Sequence, residues 1–394
     1  MRFFFCMAKV IIGAMPDKKV KKILIFSLAY YPHVGGAEVA VKEITDRITG
    51  IEFHMVTMRM DSSPRESLEG RVHVYRIGLG NKSRLNKFLF QFLAAHKASK
   101  LHKHYHYDAI WALMAHSAGM PAVLFKMKHK EVPYLLNLQE GDPPAYIERT
   151  MRPLWPLFIA AFRRADVVQP ISTFLAAWAR KMGYTGPIEI IPNGVDVKRF
   201  SGIPVAHKGI ILITSSRLVH KNAVDDVIRA LALLPSHARF QILGIGPEEN
   251  MLRELAKKEG VSERVEFLGH IDHKDMPRYL HAADIFVRPS RSEGQGASFM
   301  ETMTAGLPVI ATQEGGIADF LFDAKRNHDE ETTGWAVDKD SPEQIAEAVK
   351  NILAHPEDVA KVTATAKKLA TEKYDWNLIA IRMRAVFERL FRDA

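Results

Sequence analysis

One cysteine, Cys6, stands in a chain of 394 residues, so no disulfide can form within it and a reducing, cytoplasmic setting is expected. No apolar run reaches the roughly 18 residues that a bilayer-spanning helix needs. Repeats between the two halves are absent at the level of residues. Convincing metal-ligand spacings are also missing. Asp338-Lys-Asp340 runs straight into Ser341-Pro342, which is how a helix starts, and the histidines of "HKHYHY" (His102, His104, His106) read as a solvated segment. No metal and no cofactor are therefore expected. Residues 1–21 combine an apolar stretch with a later basic cluster, the reverse of a secretory signal, and read as a poorly ordered extension.

What remains is an ordinary globular composition with an uneven charge. Residues 1–200 hold 29 Lys+Arg against 16 Asp+Glu, and residues 201–394 hold 25 against 29. The first half thus calls for an anionic partner, such as a phosphorylated lipid or an anionic membrane surface. A chain this long also exceeds one comfortable core, so two domains are expected.

The pattern of elements agrees. "KILIFSLAY" (22–30) is a buried strand that breaks at "YPHVGG" and turns helical from Ala37. "FHMVTM" (53–58), "VHVYRI" (72–77), "AIWALM" (109–114), "YLLNL" (134–138) and "DVVQPIS" (166–172) follow as strands, several separated by helical stretches. After "IEIIPNGVDVKRF" (188–200), which reads as a hinge, the alternation restarts at 209–217, 239–246, 264–269, 283–290 and 308–312. Strands alternating with helices predict α/β domains with parallel sheets. We place the first at 22–192 and the second at 193–373. "YDWNLIAIRMRAVFERLF" predicts a last helix, within a terminal segment 374–394.

Three constellations could carry chemistry. "RSEGQGASFMETM" puts Glu293 on a glycine turn after a strand and Glu301 one turn into the next helix. Gly294 and Gly296 would let backbone approach a ligand, and a helix beginning near Ser298, just after Ala297, would offer N–H groups. Two carboxylates so placed suit a ligand with hydroxyls at two ends, such as a sugar nucleotide. A competing reading makes Ser298…Glu301 a capping box. "SSRLVHKN" places Arg217 and Lys221 about a helix start, a cation pair fit for a diphosphate, or else two solvated side chains. Gly35 and Gly36 in "GGAE" could present N–H groups to an anion, or form an ordinary strand-to-helix turn. Gly244 and Gly246 in "GIGPEE" form half of a dinucleotide fingerprint, a weak signal.

Taken in order along the chain, these segments, with "RRADVVQPISTFLAAWARKMG" and "TGWAVD", resemble the retaining glycosyltransferases of the GT-B fold, family four, the glycogen-synthase-like group 1 enzymes. The resemblance runs from about Lys22 to near the end. It implies two Rossmann-like domains with parallel sheets facing across a cleft, and a terminal helix crossing back to the first domain. It implies that Glu293 holds donor-sugar hydroxyls, Glu301 binds the ribose, Arg217 and Lys221 neutralise the departing diphosphate, and Gly36 closes over the donor. His270 and Ile271 would lie in the loop framing the base. The chain departs from the family's pattern at Gln295, where an aromatic or aliphatic residue is common, so that this donor-binding position would contact the sugar differently, and after "YLLNL", where Gln139-Glu140 replaces the usual histidine. Glu140 or Asp142 is then a candidate base at the reacting end, and His116 in "LMAHSAG" another, or else a satisfied structural residue. The implied activity is metal-independent transfer of a hexose from a UDP- or GDP-sugar to a hydroxyl acceptor, including a lipid-linked one, with retention because the diphosphate oxygen takes the acceptor's proton. A nucleotide-sugar epimerase of the same fold, or a non-catalytic nucleotide-sugar-binding partner of another transferase, would be the alternatives. The cleft motifs leave no role for nucleic acid. Finally, 83–105 combines Phe88, Leu89, Phe92, Leu93 and Leu101 with flanking cations, as an interfacial helix or as a helix packed on the first sheet.

Overall fold

The computed structural model describes residues 20–392, so the expectation for 1–21 lies outside the described residues except at Val20 and Lys21. The first lobe is built on seven strands: β1 (Lys21–Ser27), β2 (Ile51–Met58), β3 (Glu66–Glu69), β4 (Val72–Ile77), β5 (Ala109–Leu113), β6 (Tyr134–Leu138) and β7 (Val167–Pro170). Their order is β3-β4-β2-β1-β5-β6-β7, parallel throughout except for β3, which runs antiparallel to β4. The second lobe has six: β8 (Ile210–Ser215), β9 (Ala238–Leu243), β10 (Val265–Gly269), β11 (Ile285–Arg288), β12 (Val309–Ala311) and β13 (Trp335–Ala336), ordered β10-β9-β8-β11-β12-β13 and all parallel.

The strands fall where the apolar runs fall because both faces of each sheet are covered. In β1, Leu24 and Phe26 enter one core with Phe90, Phe125 and Phe158, while Ile23 and Ile25 enter the other with Phe53, Trp111 and Phe387. Two strands escaped the sequence reading. β3 is an exposed, charged edge strand, and β13 is two residues long.

The terminal helix Trp376–Leu390 packs on the first lobe, beside α1 (Gly36–Arg47). Ile379, Met383, Val386 and Leu390 form a stripe at helical spacing, and they share one core with Val41 and Ile44 of α1. The chain therefore passes between the lobes twice, at 191–197 and at 373–376. The two passes are bonded to each other, Val195 N–H to Tyr374 O (2.7 Å) and Trp376 N–H to Val195 O (3.3 Å).

The helix α2 (Arg84–Tyr105) buries a different face from the one its large apolar residues suggested. Phe90, Ala94, Ala98 and Leu101 face the sheet, whereas Leu85, Phe88, Phe92 and Leu93 are 42–59 % exposed. At its C-terminal end His102 is not solvated as expected. Its ring packs on Phe125 and His129, and its Nδ1 accepts the Tyr107 N–H (3.1 Å). His102, His129 and Glu131 are the one metal-competent group among the described residues. With Nδ1 accepting, the proton of the neutral ring sits on Nε2, 3.9 Å from Glu131 Oε1.

Candidate active site

In parallel sheets, loops at the carboxyl ends of the strands build the site. The second lobe supplies two of them. Loop 216–223 follows β8, and loop 289–296 follows β11. Two arginines zip these loops together. Arg291 donates its backbone N–H to Lys221 O (2.7 Å) and its guanidinium to His220 O (2.8 Å), Asp225, Asp226 and Asp340. Burial alone would raise Asp225, but hydrogen bonds from Arg291 and Arg229 outweigh it and hold its carboxyl below the usual range. Burial and the neighbouring Asp225 push Asp226 up to about 6. Arg288, at the end of β11, is 8 % exposed; it pairs with the Glu293 carboxylate and donates to Asn222 Oδ1 (3.2 Å) and Ser298 Oγ (2.9 Å).

The first lobe meets these loops at Gln139–Asp142. Lys221 Nζ donates to Gly141 O and lies 3.2 Å from Asp142 Oδ1. A Cβ placed on Gly141 would stand 2.9 Å from Lys221 Nζ and 3.5 Å from Glu293 Oε1. The cation and the carboxylate thus converge on one point at the mouth between the lobes. Gly294 sits so close to Glu140 O that no side chain could occupy its position. Gly296, at φ +83°, makes the left-handed turn into the helix Ala297–Ala305, so Gly296 and not Ser298 is the cap. The capping-box reading of Glu301 falls with that. Its carboxylate accepts from His273 Nε2 at 2.8 Å, and the Glu301 hydrogen bond raises His273, with Arg199 (3.0 Å from Nδ1) opposing.

The other expected residues divide. Arg217 is exposed beside Lys221's loop, its carbonyl bonded by Asn222 Nδ2 (2.6 Å). Gly244 and Gly246 lie against the backbone of Ser216 and Leu218, behind that loop. Gly35 caps α1, but its N–H is already taken by Glu38 (2.8 Å); the Gly36 position faces open space. Ile271 packs on the second lobe's core, whereas the His270 side chain is 74 % exposed and is enclosed by nothing.

Two expectations need correcting. Gln295 does not turn its amide to the crevice. Its amide is 2 % exposed and pairs with the backbone of Asn193 in the interlobe segment, accepting from N (2.7 Å) and donating to O (2.9 Å). Asn193 Nδ2 in turn donates to Gln139 Oε1 (3.0 Å). The two departures from the family's pattern are thus a single hydrogen-bonded unit, which a reading of each position alone could not find. Glu140 is not available as a base at the surface either. Its carboxylate is 1 % exposed and accepts the Ala115 N–H (2.6 Å), with His116 Nδ1 at 3.4 Å. His116, with a side chain 32 % exposed, is the member of that pair that reaches solvent. Arg288 is the buried charge at this site that sequence reasoning missed; an arginine ending an apolar strand, five positions before a carboxylate, was the available signal.

The fold is that of the two-lobed GT-B glycosyltransferases. It superposes on sucrose-phosphate synthase from Thermosynechococcus elongatus with a TM-score of 0.82 at 20 % identity, covering 95 % of this chain and all of that one. On Anabaena HepE, solved with UDP-glucose, the TM-score is 0.75 at 18 % identity over 93 % of this chain and 99 % of that one. The sequence then gives the family. Residues 34–199 match the model "Glycosyltransferase Family 4" and residues 198–369 match "Glycosyl transferases group 1". The two abut and together span most of the chain, which belongs to the group 1 glycosyltransferases of family four. Among relatives, a GDP-mannose-dependent alpha-(1-6)-phosphatidylinositol monomannoside mannosyltransferase of Mycolicibacterium smegmatis is 30 % identical over 254 residues, 58 % of this chain. The match spans 64 % of that relative's length. An uncharacterized glycosyltransferase of Methanocaldococcus jannaschii is 24 % identical over 94 % of this chain and 99 % of its own length.

Proposed function

We propose that this chain is a retaining hexosyltransferase. It takes a hexose from a UDP- or GDP-sugar and places it on a hydroxyl of a glycan or lipid-linked acceptor, using no metal. The observation that carries this reading is the convergence of Lys221 Nζ and the Glu293 carboxylate on Gly141 at the interlobe mouth. A departing diphosphate needs fixed positive charge in a water-poor site. Lys221, with Arg217 beside it, supplies that charge. Glu293 and Glu301 accept hydrogen bonds from the hydroxyls at the donor's two ends. Arg288 pins one oxygen of Glu293 and the Gly294 N–H bonds the other (3.0 Å), which suits a holder of hydroxyls better than a free nucleophile. That geometry favours retention through a same-face reaction, in which the diphosphate oxygen takes the acceptor's proton.

The acceptor sits at an anionic bilayer in this reading. No helix of the described residues is long and apolar enough to cross a membrane. α2 instead presents Leu85, Phe88, Phe92 and Leu93 to solvent, flanked by Arg84, Lys87 and Lys100 of the basic half. Adsorption of α2 to vesicles should require anionic lipid, weaken with salt and fail in F88D/F92D. Salt-independent absence of binding would remove the membrane part alone.

The main test is a panel of nucleotide sugars scored for thermal stabilisation, slow hydrolysis and product configuration. GDP-mannose comes first because of the mannosyltransferase relative. Binding without hydrolysis or transfer to any acceptor would instead favour the non-catalytic partner.

A further inference from the structure

We propose that Arg288 is a positioning residue that sets the donor grip by holding three separate ligand-facing segments in register. This rests on the donor reading above. The arginine ends β11, so its guanidinium emerges where loops 216–223 and 289–296 meet. Nη2 pairs with Glu293 Oε2 and reaches Asn222 Oδ1 (3.2 Å). Nη1 donates to Ser298 Oγ in the first turn of helix Ala297–Ala305 (2.9 Å). The plane lies over the Phe299 ring, 5.3 Å from its centroid. Asn222 passes the connection on by donating to Arg217 O (2.6 Å). One side chain therefore ties the cation loop, the carboxylate turn and the helix start.

The physical need is specific. Glu293 is 8 % exposed, and burying a carboxylate so far is costly without a charged partner, which also aims it. Among the described residues Arg288 is the cation paired with it. A planar fork is required because the bonds leave Arg288 toward three partners in one arrangement; a lysine's single ammonium cannot reproduce them. With Oε2 held by Arg288, the remaining lone pairs of Glu293 are the ones left for sugar hydroxyls. Arg288 touches no substrate in this scheme. It acts through Glu293 and Asn222.

The inference predicts a specific failure. R288M keeps the apolar stem of the side chain and removes the guanidinium, and should lower kcat/KM by about 100-fold. It should also erase most of the difference in affinity between a nucleotide sugar and its nucleoside diphosphate, because the sugar-holding carboxylate is no longer aimed. R288K should recover only a small part of the activity. Guanidinium ion added to R288A should restore turnover, whereas urea should not. E293Q added to R288M should cost little more activity and should raise the melting temperature, because it removes the unpaired buried charge. A folded R288M with unchanged kcat/KM, an R288A that guanidinium does not rescue, or losses of R288M and E293Q that multiply would each overturn the inference. If the wild-type chain binds neither UDP- nor GDP-sugars, the donor reading itself is overturned, and the inference with it.

Discussion

The two lobes contribute to the crevice in different ways. The second lobe offers charge on a frame already braced: Arg288 and Arg291 bond the cation loop, the carboxylate turn and the following helix. The first lobe offers amides, a histidine and the Asp142 carboxylate. Gln139 bonds Asn193 in the interlobe segment, and His116 rests on a buried Glu140. The contrast teaches that, in the proposed reading, the grip on the charged part of a donor is fixed within one lobe, where burial makes electrostatics strong. The first lobe's side of the crevice depends instead on hydrogen bonds whose geometry is set by how the lobes meet.

The sharpest way to break this comparison is to remove charge from the braced side. K221A should lower kcat by about 100- to 1000-fold while leaving the melting temperature near wild type, as expected for a group acting on a leaving diphosphate. Equal loss of fold and rate would mean that Lys221 serves the lobe contact instead. Next comes the brace. Arg291 has a side chain 13 % exposed between Asp225 and Asp226, so R291M should cost about 3 kcal/mol, read as a fall in the denaturation midpoint of the second lobe.

On the amide side the effects should be smaller and of another kind. Q295L strands the N–H and C=O of Asn193 and should cost about 2 kcal/mol. Its signature is faster proteolysis at 191–197 with donor affinity little changed. Donor affinity lost along with lobe contact would blur the division between the lobes. The smallest effect belongs to His273, whose pKa is raised by Glu301. A raised histidine contributes stability that is complete below its unfolded pKa of about 6.5 and fades as pH climbs through the folded value. With the ring 39 % exposed, screening limits this to a few tenths of a kcal/mol. Wild type should therefore exceed H273Q in melting temperature more at pH 6 than at pH 9.

Legibility followed the same division. Glu293, Lys221 and Glu301 stood out in the sequence because charged residues beside glycine turns, after apolar strands, form a local chemical pattern. Gln295 and Glu140 were misread for one reason. Their partners lie at Asn193 and Ala115, far along the chain, and a neutral amide gives no sign of whether it will face a ligand or a backbone peptide. Arg288 was missed because an arginine at a strand end usually points to solvent, and only the carboxylate of Glu293 makes its burial tolerable.

The sequence by itself determined the alternation of strand and helix, the two sheets and the charged residues at their carboxyl ends, because periodicity and turn chemistry act over a few residues. Tertiary structure alone decided which face of α2 stays in water, which amides join the lobes and which carboxylates remain reachable. Those outcomes depend on desolvation and on hydrogen-bond partners a hundred residues away, and no local pattern encodes either.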